Sequence, residues 1–112
     1  MPTATPLERD GEGKKDPGEG DCYAAPNPVH GGPCRVVYHM RAPGTCKLRI
    51  FQASGDPVGM VEERHNTAGV HSCEVSTQRY APGVYFYRAD LSYDNGEQDK
   101  LPVKKLLVLK AR

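Results

Sequence analysis

The stretch from Gly83 to Tyr93 constrains the fold more than any other part of the chain. Tyr85, Tyr87, Ala89 and Leu91 fall at every second position, with Arg88, Asp90 and Ser92 between them. A period of two puts alternate side chains on one face of a strand, whereas a helix repeats every 3.6 residues. Each tyrosine on that face can bury roughly 150–250 Å², so the strand has to pack against a second apolar layer. Asp94-Asn95-Gly96-Glu97 follows and reads as a hairpin turn, because Asn-Gly tolerates the positive φ angles of a type I′ loop. Val103 to Lys110 is then the returning strand. With Asn95 and Gly96 as the two loop residues, Tyr85 stands opposite Leu106 on the inner face and Val108 lies one step further along. Lys104 then faces Tyr87, so either its stem snorkels or a bulge near Pro102 shifts the register.

The same texture extends back to Cys22. Tyr23 to Val29 is a first strand interrupted by Pro26 and Pro28, which confines it to an edge or an irregular entry segment because proline cannot donate to a ladder. Cys34 to Met40 places Cys34, Val36, Tyr38 and Met40 on one face. Ala42-Pro43-Gly44 turns the chain, and Thr45 to Gln52 alternates Cys46, Leu48 and Ile50 against Lys47 and Arg49, the pattern of a strand with one buried and one wet face. After the Ser54-Gly55-Asp56-Pro57 turn, Val58 to Glu63 is a short strand. His71, Cys73 and Val75 alternate with Ser72, Glu74 and Ser76 in the next. About seven short strands without a helical period predict an all-β, antiparallel immunoglobulin-like (fibronectin type III-like) β-sandwich, with an open barrel as the alternative.

Composition agrees, with 12 Gly and 10 Pro in 112 residues, a chain cut often by turns. Residues 1–21 hold 3 Lys/Arg against 6 Asp/Glu and almost no large apolar side chain, which predicts a disordered acidic linker. The domain is expected over residues 22–112. That part carries 12 Lys/Arg against 8 Asp/Glu, a balance of 12 − 8 = +4, too weak for a dedicated nucleic-acid binder. No apolar run approaches the roughly 20 residues that cross a bilayer, so no membrane span is expected. Nor do the first residues show the basic and apolar regions of a signal peptide. If the chain works outside the cytoplasm, its export signal is expected elsewhere in a longer protein.

Cys22, Cys34, Cys46 and Cys73 make an even number of cysteines in a small domain, the arithmetic of a disulfide framework in an oxidising compartment. Three connectivities are open, and burial as free thiols is the alternative.

Several motifs together resemble the immunoglobulin-like domain of the flagellar hook-capping protein family and the related type A sorting domain of bacterial type IX secretion cargo. They are Ala25-Pro26-Asn27-Pro28, Cys46-Lys47-Leu48-Arg49-Ile50-Phe51, Gly69-x-His71, Ala81-Pro82-Gly83-Val84-Tyr85-Phe86-Tyr87-Arg88 and Lys105-Leu106-Leu107-Val108-Leu109-Lys110. The match runs from Cys22 to Lys110. It departs from the family in having Val75 and Ser76 where an aromatic is usual, and in its four cysteines. The resemblance implies a domain appended to a larger secreted or surface protein. In the secretion branch it implies that Pro26, Asn27, Pro28, Gly83, Tyr85, Lys104, Lys105 and Lys110 carry recognition by the export machinery.

No nucleophile elbow, P-loop, zincin helix or dinucleotide fingerprint is present, so the expected function is non-catalytic, with neither cofactor nor metal. His71 and Cys73 share a strand face, yet no Cys-x-x-Cys motif completes a zinc site, and a half-buried histidine beside a core or disulfide cysteine is the expectation. Asp90, Asp94, Asn95, Glu97 and Asp99 gather at the last hairpin, but their order does not fit an EF-hand and they are expected as solvated turn residues. Arg35, Lys47, Arg49 and Arg88 are expected at outward, solvated positions. The leading expectation is an accessory module, structural or adhesive, of an extracellular or cell-surface bacterial protein, partnered by its parent polypeptide or a neighbouring extracellular protein. A type IX sorting signal, partnered by the secretion machinery, is the first alternative. A carbohydrate-binding module of a secreted hydrolase, using Tyr38, Tyr80, Tyr93 or Phe51, is the second.

Overall fold

The computed structural model describes residues 16–110 as two antiparallel sheets packed face to face. The first fifteen residues of the expected linker lie outside the described residues. Chain order gives β1 (Cys22–Ala25), β2 (Pro33–Met40), β3 (Gly44–Gln52), β4 (Pro57–His65), β5 (Gly69–Ser76), β6 (Gly83–Tyr93), β7 (Gln98–Lys100) and β8 (Lys104–Val108). One sheet has the order β1-β2-β5 and the other β4-β3-β6, with β7 and β8 both paired to the far side of β6. Three strands facing this larger sheet make an immunoglobulin-like sandwich of the fibronectin type III kind.

The alternation read from the sequence is what builds the core. Cys22, Ala24, Cys34, Val36, Tyr38, Met40, Cys73 and Val75 are buried from the smaller sheet. Cys46, Leu48, Ile50, Tyr85, Tyr87, Ala89, Leu91, Leu106 and Val108 are buried from the larger. Each set keeps the period of two, and the registers align the sets across each ladder: Val36 pairs with Ala24 and Cys73, and Leu48 with Ala89 and Val61.

The last hairpin differs from its expectation in an instructive way. Tyr93 N–H donates to Glu97 O at 2.8 Å and Gly96 N–H to Tyr93 O at 3.0 Å, which encloses three loop residues, Asp94, Asn95 and Gly96. Only Gly96 of the three has a positive φ, +92°, so the loop is the three-residue kind with glycine in the left-handed position, not the two-residue type I′ loop. Ser92 pairs with Gln98 and Asp90 with Lys100, one residue out of the two-residue register. Past Leu101-Pro102-Val103 the pairing becomes Tyr87 with Lys104 and Tyr85 with Leu106. The extra loop residue is thus cancelled by an irregularity at Pro102, which cannot donate to β6, and Leu106 regains the inward face that a slip of one would cost it. Lys104 snorkels as well: its ammonium reaches Asp21 at 3.0 Å.

The disulfide expectation is corrected. Cys22, Cys34, Cys46 and Cys73 are all free and all buried. Each sits at an inward strand position, where a thiol packs as a small apolar side chain.

Candidate functional site

The residues that the resemblance marks for recognition are drawn mainly to one edge. β8 would be the open edge of the larger sheet, but the segment after β1 lies along it. Asn27 Nδ2 donates to Lys105 O at 2.9 Å, and Leu107 N–H donates to Asn27 Oδ1 at 3.0 Å, so one side-chain amide takes the place of a strand residue. Val29 continues the cover in parallel, donating to Leu107 O at 2.9 Å and accepting from Leu109 N–H at 2.8 Å. Pro26 and Pro28 flank Asn27, and the Pro26 carbonyl accepts from the Cys34 thiol at 3.5 Å. A covered edge no longer offers unpaired donors and acceptors to other chains. Gly83 stands opposite Val108 at the start of β6. Lys105 and Lys110 are exposed, and among the described residues the Lys104 ammonium contacts Asp21.

Tyr85 has a structural task. Its hydroxyl donates to Ala81 O at 2.6 Å, four residues upstream, and its ring stacks with Tyr80 at 5.2 Å. This is the tyrosine corner of immunoglobulin-like sandwiches, which pins the connection into β6. Tyr85→Phe is expected to lower stability by about 1–1.5 kcal/mol, because the Ala81 carbonyl loses its donor while the packing is kept. Equilibrium urea unfolding measures this.

The acidic cluster at the last hairpin is occupied by arginines. Arg41, from the β2–β3 turn, holds Asp99 with Nε and Nη2 at 2.8 and 3.1 Å and Glu97 with Nη1 at 3.1 Å, with its guanidinium 4.8 Å from the Tyr93 ring centroid. Tyr93 in turn donates to Asp99 at 2.6 Å. Arg64 grips both oxygens of Asp94 at 2.6 Å. The Arg41 guanidinium, aided by the Tyr93 hydroxyl, holds the Asp99 carboxyl below the usual range, and Arg64 does the same for Asp94. Unfolded carboxylates titrate near 3.9, so these groups contribute stability that is complete above that pH and is lost as pH falls through their lower folded values. Asp99→Asn is expected to lower the melting temperature at pH 7 and to flatten its decline below pH 4. Thermal melts between pH 2 and 7 read both effects.

The outer face of the larger sheet carries both apolar and charged side chains. On β3, Lys47, Arg49 and Phe51 point outward. On β6, Val84, Phe86, Arg88, Asp90 and Ser92 do so. Registry places Phe51 beside Phe86, Phe86 beside Lys105, Val84 beside Leu107, and Arg49 between Arg88 and Met60. Met60 is 58% exposed and Val84 42%. Arg49 and Arg88 both bind Asp90, at 2.7 and 3.3 Å, so two guanidiniums share one carboxylate. The result is an apolar strip with a net positive border. Sequence reading placed the basic residues here but missed Met60, Val84 and Phe86. Their signal was the outward phase of strands whose inward phase had already been assigned.

The aromatics considered for a glycan platform are mostly withdrawn: Tyr38 and Tyr93 are buried, and Tyr80 stacks on Tyr85. Tyr80 and Tyr85 line an open groove of about 400 Å³ with Gln52, Val58, Arg79 and Ala81. His71 is half-buried on β5, two residues from the buried free thiol Cys73, as expected. Its Nε2 lies 2.9 Å from Thr67 O and its ring stacks on His65 at 4.2 Å. His65 Nε2 lies 2.5 Å from the Tyr38 hydroxyl, so β4 continues two residues past its expected end to place it. Among the described residues no group of three or more His, Cys, Asp or Glu is placed to hold a metal ion, and no helix is long and apolar enough to cross a membrane. Comparison with protein-family models found no match, and comparisons with curated proteins and with solved structures found none either.

Proposed function

We propose that this domain is a non-catalytic accessory module, structural or adhesive, of a larger bacterial protein that is secreted or held at the cell surface. The observation that carries the reading is the outer face of β4-β3-β6-β8, where Phe51, Phe86, Val84 and Leu107 make an apolar strip, exposed or half-buried, beside Arg88 and Lys105, with Met60 exposed across Arg49 from Arg88. Contiguous exposed apolar surface rimmed by polar residues marks contact sites between proteins. Arginine and aromatic side chains are also the residues that interfaces favour. The covered β8 edge fits the same reading, since this edge no longer offers a free ladder to another chain. The resemblance to domains appended to exported proteins supports the setting. As a sorting signal, the domain would have to be read with β8 already overlaid by Asn27 and Val29, through side chains such as Lys105 and Lys110.

The test is the pair of exposed substitutions Met60→Asp and Val84→Asp, introduced into the parent protein in its native organism. Attachment of the parent to the surface or to its neighbour is expected to fall about tenfold, with export and the domain's melting temperature unchanged. Unaltered attachment would exclude this face.

A further inference from the structure

The outer face of the larger sheet is graded along its strands, and its charge is uneven. Registry sets its outward side chains in rows. Arg64, Thr45, Ser92 and Gln98 form a polar row, followed by Glu62, Lys47, Asp90 and Lys100, then by Met60, Arg49 and Arg88. Beyond them come Phe51, Phe86 and Lys105, and last Val84 and Leu107. Polar side chains thus give way to basic ones, and those to apolar ones. Arg64 is matched by Asp94. The other charges of these rows are Lys47, Arg49, Arg88, Lys100 and Lys105 against Glu62 and Asp90, a balance of 5 − 2 = +3. On the outer face of the smaller sheet, Arg35 and Glu74 stand opposite each other and cancel. The surplus on the larger sheet is also poorly matched within itself. Arg49 Nη1 and Arg88 Nη2 converge on one atom, Asp90 Oδ2, at 2.7 and 3.3 Å. Among the described residues, the buried Asp90 Oδ1 and Arg88 Nε have no hydrogen-bond partner. A guanidinium carries five N–H donors, so both arginines keep donors for a further acceptor. Beside them lies a recess of about 160 Å³ between Lys47, Arg49, Asp90, Ser92, Gln98 and Lys100, with room for a carboxylate.

We infer, on the proposal that this face is the contact site, that its partner is an acidic protein surface. Carboxylates of the partner enter against Lys47, Arg49, Arg88 and Lys100, and an apolar patch beside them lies on Phe51, Phe86, Val84 and Leu107. Arginine and lysine take carboxylates through charge-assisted hydrogen bonds, which arginine can make in pairs. Complementary charge also decides which partner docks and in which register, because like charges brought together are costly. The gradient sets the direction of docking, since carboxylates placed on the apolar rows would lose water without gaining a donor. Other occupants fit less well. A second copy of the chain would bring two faces of +3 together. A polyanion without apolar groups would leave Phe51, Phe86, Val84 and Leu107 unmatched. A bilayer approached from the apolar end would meet the β3–β4 turn, where exposed Ser54 donates to exposed Asp56 at 3.0 Å, and the Asp56 carboxylate would have to leave water.

The experiment places Lys47→Glu together with Lys100→Glu in the parent protein in its native organism and measures attachment beside the Met60→Asp and Val84→Asp variant. The lysine reversal spares the Asp90 cluster and the apolar rows. Attachment is expected to fall about tenfold, with export and melting temperature unchanged, and Lys47→Gln with Lys100→Gln is expected to fall less. Attachment of the native parent should also weaken in about 1 M NaCl, where exposed charges are screened beyond about 3 Å. If attachment falls with Met60→Asp and Val84→Asp but not with the lysine reversal, the face is the contact site and the acidic partner is wrong. If neither set alters attachment, this face is not the contact site and the acidic partner falls with it. Stronger attachment on reversal would mean a basic partner and would also overturn the assignment. With the purified full chain, a soluble peptide alternating Glu and Leu is expected to bind, its Lys and Leu counterpart is not, and the lysine reversal should invert that preference. Equal binding of the two peptides, co-sedimentation with phosphatidylglycerol vesicles, or a dimer dispersed by Val84→Asp would each contradict it, the last two in favour of lipid and of a second copy.

Discussion

Tyr87→Ala is expected to remove about 3–5 kcal/mol from the unfolding free energy, most of the margin available to a small domain. Tyr87 is 2% exposed at the middle of β6, between Ile50 on β3 and Lys104 on β8 in the ladder. It is the central inward aromatic of the strand from which the fold was first argued. Truncation to the β-carbon leaves a cavity between two sheets that are each hydrogen-bonded along their length and cannot collapse into it. Urea denaturation monitored by far-ultraviolet dichroism gives the value, and an unchanged slope would place the effect in the folded state. A loss below about 1 kcal/mol would mean that the β6 face is not the core.

Gly44→Ala is expected to be the second largest effect, about 2–3 kcal/mol, from a single added methyl group. Gly44 begins β3 opposite Tyr93, and a β-carbon there would meet the Ser92 carbonyl oxygen at 2.2 Å and Tyr93 Cα at 2.8 Å. Both are backbone atoms of a paired strand, so relief requires β3 and β6 to separate where the Arg41 cluster joins the β2–β3 turn to the last hairpin. Gly32→Ala is the control. It meets nothing within 4 Å and is expected to change stability by less than about 0.5 kcal/mol. Equal effects of the two substitutions would mean that the close approach at Gly44 is not what matters.

Much of the fold was legible because inward positions are dictated by one physical demand, the burial of alternate apolar side chains. Strand β6 was read with its observed ends, and Leu106 was placed opposite Tyr85 even though the turn that led there was misread. That agreement came from two departures that cancel, a third loop residue and the irregularity at Pro102. A local reading of Asn95-Gly96 sees only the turn, while the register is decided by the inward face of β8 packing on the core. The cysteines failed for a related reason. An even count is equally consistent with disulfides and with small core residues, and only the placement of each thiol in the sheets separates the two. The acidic cluster was legible as solvated turn residues but not as partners of Arg41 and Arg64, which lie 30 to 58 residues away in sequence. Asn27 was singled out by resemblance alone. Its use as a substitute strand residue depends on β8 lying 78 residues downstream.

The functional account turns on where this domain works and whether it stays joined to its parent. The most direct measurement is an immunoblot, with an antibody to residues 22–110, of cellular, surface and secreted fractions from the native organism. A surface or secreted band well above the 12.3 kDa of this chain is the predicted result, because a retained accessory module travels with its parent. A reactive band confined to the cells would contradict the account, and would point to a removed sorting signal if the parent's remaining chain were found outside.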